Sequence, residues 1–177
     1  MNNLNKIIIE ASRLKLKSTS EKYAQDIFKE FSEKITTFMH SKAADDISET
    51  LAFIKMSQNK MSKSEELQVV ILDKGTDEFL GHGGIRKLNT NTPELGIWIK
   101  ESAHGNNYGK EVISALKEWI DNNLQYKYIV YPVDKRNIPS RKIAESLGGV
   151  IESSYKKKSM SGNILDEVEY RIYPDKS

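Results

Sequence analysis

The sequence predicts an α+β domain, a mixed and mostly antiparallel sheet of about seven strands with helices on both faces. Three observations carry that prediction. Strand-length apolar runs at 67–73 and 78–88 are joined by the tight turn K-G-T-D, which makes a hairpin. Helical stripes lie before and after this β-rich middle, so helices and strands share one chain. Finally, a strand at 95–99, a helix at 108–122 and a strand at 128–133 follow one another, and such a crossover lays its two strands side by side and parallel.

Taken in order, 7–17 (I-I-I-E-A-S-R-L-K-L-K) reads as a first strand. Ser18-Thr19-Ser20 offers N-cap residues for a helix carrying Tyr23, Ile27, Phe28 and Phe31, which Ile35 and Phe38 extend or follow as a loop. Asp45 or Asp46 opens a second helix with Ile47, Leu51 and Ile54 on its buried face, and Asn59 to Ser64 reads as a polar linker. In the return strand, Gly81, Gly83 and Gly84 predict a bulge or a close approach by another backbone. The helix at 108–122 buries Val112, Ile113, Leu116, Trp119 and Ile120. Asn137 caps a short helix at 138–147, with Pro139 in its first turn and Gly148-Gly149 as its stop. A hairpin turning at S-G-N ends the chain. No repeat or internal boundary interrupts 1–177, so one domain is expected.

Composition narrows the function. Lys and Arg total 27 against 25 Asp and Glu, a net charge of +2 that gives no nucleic-acid footprint. The basic run Lys156-Lys157-Lys158 reads as a solvated strand or loop. With no cysteine there is no disulfide framework, thiolate zinc site or Cys nucleophile. His40, His82 and His104 are scattered, so no metal is expected. No stretch is long and apolar enough for a membrane span or signal peptide, and a cytoplasmic protein without a membrane partner is the expectation. Either a monomer or a homodimer fits.

The sharpest feature is H-G-N-N-Y-G-K at 104–110, placed between the strand L-G-I-W-I and a helix. A Walker loop needs a longer arc before G-K and a hydroxyl after it. Here the arc is one residue short and Glu111 stands in the hydroxyl's place. A dinucleotide fingerprint needs G-x-G-x-x-G after an early strand, and Gly105 and Gly109 are not so spaced. Two readings stay open: a plain connection, or a pyrophosphate cradle of backbone N–H groups at the helix N-terminus with Lys110 at its rim.

The arrangement resembles the GNAT superfamily of acyl-CoA N-acyltransferases, whose signature [Q/R]-x-x-G-x-[G/A] falls on His104-Gly105-Asn106-Asn107-Tyr108-Gly109. His104 and Asn107 depart from the pattern's Gln/Arg and Gly, and Asn is the next-best residue for a left-handed backbone. A-S-R-L-K-L-K, E-L-G-I-W-I, N-I-P-S-R-K-I-A-E-S-L-G-G and N-I-L-D-E-V-E-Y resemble, in order, four motifs of its ribosomal-protein (RimJ/RimL-type) N-acetyltransferase branch.

The resemblance implies a GNAT-like domain whose strands at 95–99 and 128–133 splay apart to admit the pantetheine arm of acetyl-CoA. The backbone of Ile97, Trp98 and Ile99 would pair with that arm, and the amides of Gly105, Asn106, Asn107, Tyr108, Gly109 and Lys110 would hold the pyrophosphate. Asn137 would bond the arm and Ser140 would lie near the sulfur. The acceptor would be a primary amine, a protein N-terminus or a small molecule, attacking the thioester directly in a ternary complex. Many relatives protonate the leaving thiolate with a Tyr seven residues after the Asn. That place is Ala144, which leaves Ser140 as the candidate donor. Glu94, just ahead of the central strand, and Asp166, on the last hairpin, are the candidate bases, acting directly or through a water or serving only as surface charge partners. The position of another family glutamate is Pro132. His82 lines the acceptor end or is structural. The alternative is an acyl-CoA-binding module of the same fold with little or no turnover.

Overall fold

The stretch predicted as one first strand folds back on itself. In the computed structural model, which describes residues 3–174, β1 (Ile8–Glu10) and β2 (Leu14–Ser18) form a small antiparallel hairpin. Arg13 lies in its bend, and the division raises the strand count to eight. The remaining strands are β3 (Leu67–Asp73), β4 (Phe79–Arg86), β5 (Glu94–Ile99), β6 (Ile129–Asp134), β7 (Val150–Lys158) and β8 (Ile164–Ile172). They assemble in the order β1-β2-β3-β4-β5-β6-β8-β7, and every pairing is antiparallel except β5 with β6. The predicted mixed, mostly antiparallel α+β sheet is the one found. Residues 1–2 and 175–177 of the predicted 1–177 unit lie outside the described residues.

β3 shows why its sequence runs apolar without alternating. Val69 and Ile71 face α4 (Tyr108–Asn123) and the larger core, whereas Val70 and Leu72 face α1 (Ala24–Glu30) and α3 (Ile47–Ser62). A strand covered on both sides needs apolar residues at every position. In α4, Val112, Ile113, Leu116 and Ile120 are fully buried and Trp119 packs at the margin, as the stripe predicted. Each such aliphatic side chain contributes about 1.5–3 kcal/mol of burial.

One helical boundary left open by the sequence is resolved and one helical expectation is corrected. The first helix ends at Glu30 and does not continue through Ile35 and Phe38. A 3-10 turn at Glu21–Tyr23 leads into α1, and Ser32 then caps a separate short helix, α2 (Glu33–Thr36). In α3, Asp46 is the N-cap, its carboxylate accepting from Ser48 N at 2.8 Å. The helix continues through Asn59 to Ser62, where a linker was expected. Its buried face is Thr50, Ile54, Ser57 and Met61, spaced four, three and four apart, and Leu51 is exposed. Small polar Thr and Ser hid that face from a hydrophobicity reading.

The close approach predicted from the glycines of β4 is present. A Cβ on Gly81 would sit 2.3 Å from the carbonyl oxygen of Trp98 on β5, and the β3–β4 register shifts beside it at Ile71/Leu72. β7 is an exposed edge strand, and Lys156, Lys157 and Lys158 lie on it in solvent. Charged edges of this kind oppose pairing with other chains.

The feature that positions the site is the weak joint between β5 and β6. They meet only at Glu94 opposite Val130, beside a bond from Val130 N to the Pro93 carbonyl at 2.8 Å. Beyond it β5 stays paired with β4 as far as Ile99, and β6 pairs with β8 along its whole length. The two strands therefore splay, leaving the β5 edge from Leu95 to Ile99 without a strand partner. Among the described residues, no helix is long and apolar enough to cross a membrane.

Candidate active site

The open edge of β5 leads to the loop at 104–107. His104 Nε2–H donates to the Ile99 carbonyl at 2.7 Å, so this ring pins the strand's end to the loop that follows. Asn106 fastens the loop from within, its side-chain amide donating to the carbonyls of Ala103 at 3.1 Å and His104 at 3.3 Å. Gly105 has φ +83° and Asn107 has φ 59°, ψ 18°, so the residue standing for the pattern's Gly does adopt the left-handed conformation. Asn107 is the N-cap of α4 by position, but its side chain accepts no capping bond.

The consequence is electrostatic. Among the described residues, the backbone N–H groups from Gly105 to Lys110 donate to no protein acceptor. Six exposed donors at a helix N-terminus form a cradle suited to an anion. Gly109 lets the cradle sit low, because a Cβ there would approach the Ile143 side chain to 2.9 Å. Glu111 would oppose an anion if left bare. Arg13, from the β1–β2 bend, neutralises it: its backbone N donates to Oε1 at 2.6 Å and its Nε to Oε2 at 2.9 Å. The same guanidinium donates to the Asn106 carbonyl at 3.0 Å and lies 4.7 Å over the Tyr108 ring. Arg13 went unrecognised in the sequence because its partners are almost a hundred positions away.

Across the splay, α5 (Ile138–Ser146) begins at Asn137, whose Oδ1 accepts from Ser140 N at 3.3 Å. That bond leaves the Asn137 side-chain N–H groups without an acceptor among the described residues. Ser140 Oγ lies 2.8 Å from the Tyr131 hydroxyl on β6. Tyr131 is buried, and burial pushes its hydroxyl up to about 12 despite the opposing effect of the Ser140 bond. A protonated phenol thus backs the serine, and Ala144, one turn further along α5, is fully buried.

A cleft of about 920 Å³ runs through the splay, with Ser140, Asn137 and Tyr131 on its wall. On the opposite face of the sheet it is lined by Glu94, Glu167, Tyr155 and Arg171. Glu94 is held by Arg86 and by Lys87 at 2.9 Å. Asp166 does not join it. It pairs with Lys135 at 3.0 Å and lies outside the cleft lining, while its neighbour Glu167 lies inside. The strand period explains this: Val168, Tyr170 and Ile172 face the core, so Glu167, Glu169 and Arg171 face the cleft. The structure therefore brings Glu94, Ser140 and Asn137 to one cleft and leaves Asp166 aside.

Beside the cleft, and sharing Gly96 and Ile97 with it, is a cavity of about 470 Å³ walled by Phe31, Phe53, Trp98 and His82. The Trp98 ring packs 5.0 Å from Phe31 and 5.8 Å from Phe79. Met160 from the β7–β8 turn closes the rim, its N–H donating to the His40 carbonyl at 2.8 Å. His82 is structural in its bonding, with Nε2 2.8 Å from Thr19 Oγ1 and burial lowering its pKa to about 4.

A sheet parted between two parallel strands, with an anion cradle heading the crossover helix, is the architecture of an acyl-CoA-dependent acyltransferase. Residues 13–150 match the acetyltransferase (GNAT) domain family, and the chain belongs to it. The ribosomal-protein alpha-N-acetyltransferase RimL is similar in fold, with a TM-score of 0.83 at 15% identity over 95% of this chain and 94% of that one. The microcin self-immunity acetyltransferase MccE, solved with acetyl-CoA and AMP, has a TM-score of 0.81 at 19% identity, covering 92% and 93%. A GNAT-family acetyltransferase from Bacillus anthracis gives 0.78 at 19%, covering 94% and 98%. An uncharacterized protein of Methanocaldococcus jannaschii is 33% identical over 91 residues, half of this chain and 19% of that protein. The chain thus spans about a fifth of that relative's length.

Proposed function

We propose that residues 1–177 act as one N-acetyltransferase domain that moves an acetyl group from acetyl-CoA to a primary amine, a protein N-terminus or a small amine. The observation that carries this reading is the unpaired β5 edge running into six free N–H donors, with the Tyr131–Ser140 hydroxyl pair across the gap. The donors fit a pyrophosphate, and the open edge at Ile97, Trp98 and Ile99 fits an amide-bearing arm that pairs like an added strand. Lys110 adds a cation at the cradle's rim, and the free amide of Asn137 can donate to the same arm. No metal enters the scheme.

An alkylamine with a pKa of about 10 is mostly protonated at neutral pH and must lose a proton before it attacks. Its nitrogen then bonds to the thioester carbon, the carbon–sulfur bond breaks, and the second N–H proton passes to the sulfur. Ser140 donates a hydrogen bond to the departing thiolate and is itself backed by Tyr131. With its pKa of about 12, Tyr131 remains protonated and polarises the serine without itself becoming an anion. Ser140→Ala should lower kcat by about 10- to 100-fold. Tyr131→Phe should act in the same direction but more weakly, and both should leave acetyl-CoA affinity within about threefold. Stopped-flow detection of CoA thiol release gives kcat, and calorimetry gives the affinity. An unchanged kcat in both variants would remove the hydroxyl pair from the mechanism.

The competing reading is a binding module of the same fold with little turnover, since Ala144 removes the usual acid. It predicts acetyl-CoA binding without any acetylated product. A monomer and a homodimer are both compatible with the proposed reaction, because every residue assigned to it comes from one chain.

A further inference from the structure

The acceptor face of the cleft holds one carboxylate oxygen that nothing among the described residues satisfies. Glu167 on β8 is 6% exposed, and its Oε2 is buried with no hydrogen-bond partner among the described residues. The other carboxylates around it are paired with cations. Asp134, opposite it on β6, takes bidentate bonds from Arg136 at 2.8 Å and a backbone bond from Asp166. Glu169 meets Arg171 at 3.4 Å, and Glu94 is shared by Arg86 and Lys87. Lys157, on the same face of β7, lines the cleft but forms no ion pair with Glu167. On the other side, the Tyr155 hydroxyl lies within reach of the Glu167 carboxylate. Tyr155 is pushed up to about 12, first by desolvation and then by Glu167's charge.

A buried anion without a cation is costly, and such a group is retained where a ligand supplies the missing charge. We propose that Glu167, which lines the cleft, receives the ammonium group of the acceptor at its carboxylate and takes its first proton. This inference rests on the acetyltransferase reading and names the acceptor's anchor within it. The proton balance is complete. The ammonium gives one proton to the Glu167 carboxylate, which returns it to solvent, and the neutral amine attacks the thioester carbon. The second N–H proton leaves with the thiolate as already described. Glu94 cannot do this as it stands, because two cations already occupy it. The substrate class is therefore a primary amine presented from the face of Tyr155, with its substituent free to enter the adjoining cavity of Phe31, Phe53 and Trp98.

The test has two arms, both on the intact chain with n-butylamine as the probe. In the first, saturation-transfer NMR without acetyl-CoA compares n-butylammonium with n-butanol. The wild type should bind the cation and not the alcohol, and Glu167→Gln should lose that signal while keeping the wild-type melting curve. In the second, acetyl transfer is followed from pH 6 to 10. Glu167→Gln should fall at least about 100-fold in kcat/KM at pH 7 and recover tenfold per pH unit as free amine accumulates, with acetyl-CoA affinity unchanged. Equal binding of cation and alcohol by the wild type overturns the proposal even if acetyl transfer occurs. So does a Glu167→Gln variant with wild-type kcat/KM across the range. If the wild type binds the cation but transfers no acetyl group to any amine, the acetyltransferase reading fails and takes the proton-transfer step with it. The ammonium site then stands on the NMR result alone.

Discussion

Replacing Gly109 with Glu should abolish acetyl-CoA binding while leaving the fold in place. Gly109 is the second residue of α4, inside the run of free N–H donors, and its missing side chain lies against Ile143 of α5. The steric cost is modest. The atom met at 2.9 Å is the tip of an isoleucine side chain, which can move by tenths of an ångström. Any residue with a Cβ also gains helix propensity over glycine, by up to about 1 kcal/mol. The electrostatic effect dominates. A carboxylate about 4 Å from a phosphate charge costs about 4 kcal/mol at an effective dielectric near 20, nearly three decades of affinity. Gly109→Gln separates the two effects, because it has the same bulk without the charge and should lose only about tenfold. Calorimetry on both variants, with circular dichroism as the fold control, reads the difference. Similar losses in the two variants would mean that the loop is not an anion cradle.

Acidification should destabilise the protein by about 3 kcal/mol through a single residue, His82. Its ring is sealed between Phe53, 5.6 Å away edge-on, and Trp98, stacked 6.4 Å away, and its Nε2 bonds to a buried Thr19. Burial lowers its pKa from 6.5 to about 4. Between those values the unfolded chain binds a proton that the folded protein refuses, so stability rises with pH. The contribution is complete above pH 6.5, declines as pH falls and is lost below about 4. Asp134 acts in a lower window. The Arg136 guanidinium holds its carboxyl down to about 2, so its share is lost only as pH falls from 3.8. Urea unfolding at pH 7 and pH 4.5 should therefore differ by about 2–3 kcal/mol in the wild type. In His82→Gln the difference should largely vanish, whatever that variant's absolute stability. An undiminished slope in the variant would assign the acid sensitivity elsewhere.

The fold was legible where backbone and apolar spacing determine it. The hairpin turn K-G-T-D is fixed by its own chemistry: the Asp73 carboxylate accepts from Gly75 N and Thr76 N, both at 2.9 Å. That the strands at 95–99 and 128–133 run parallel and adjacent, though they pair only at Glu94, followed from the strand–helix–strand crossover. The loop at 104–110 could be read as a cradle because its function rests on main-chain groups and on two left-handed residues, Gly105 and Asn107. Side-chain partnerships across distant elements were less legible. Arg13 with Glu111, and Tyr131 with Ser140, depend on the order in which the sheet is laid down. Glu167 is a different case. The alternation of Val168, Tyr170 and Ile172 already placed it opposite the core, while the resemblance directed attention to Asp166 one position earlier. In a strand, one position is the difference between the cleft and the other face.

The most direct test of the account is mass spectrometry of a primary amine, n-butylamine or a short peptide with a free N-terminus, incubated with the protein and isotopically labelled acetyl-CoA. Labelled N-acetyl product, formed with equimolar free CoA and only in the presence of the protein, is the predicted result. Tight binding of acetyl-CoA with no acetylated amine above the uncatalysed background would contradict it and leave a binding module of the same fold.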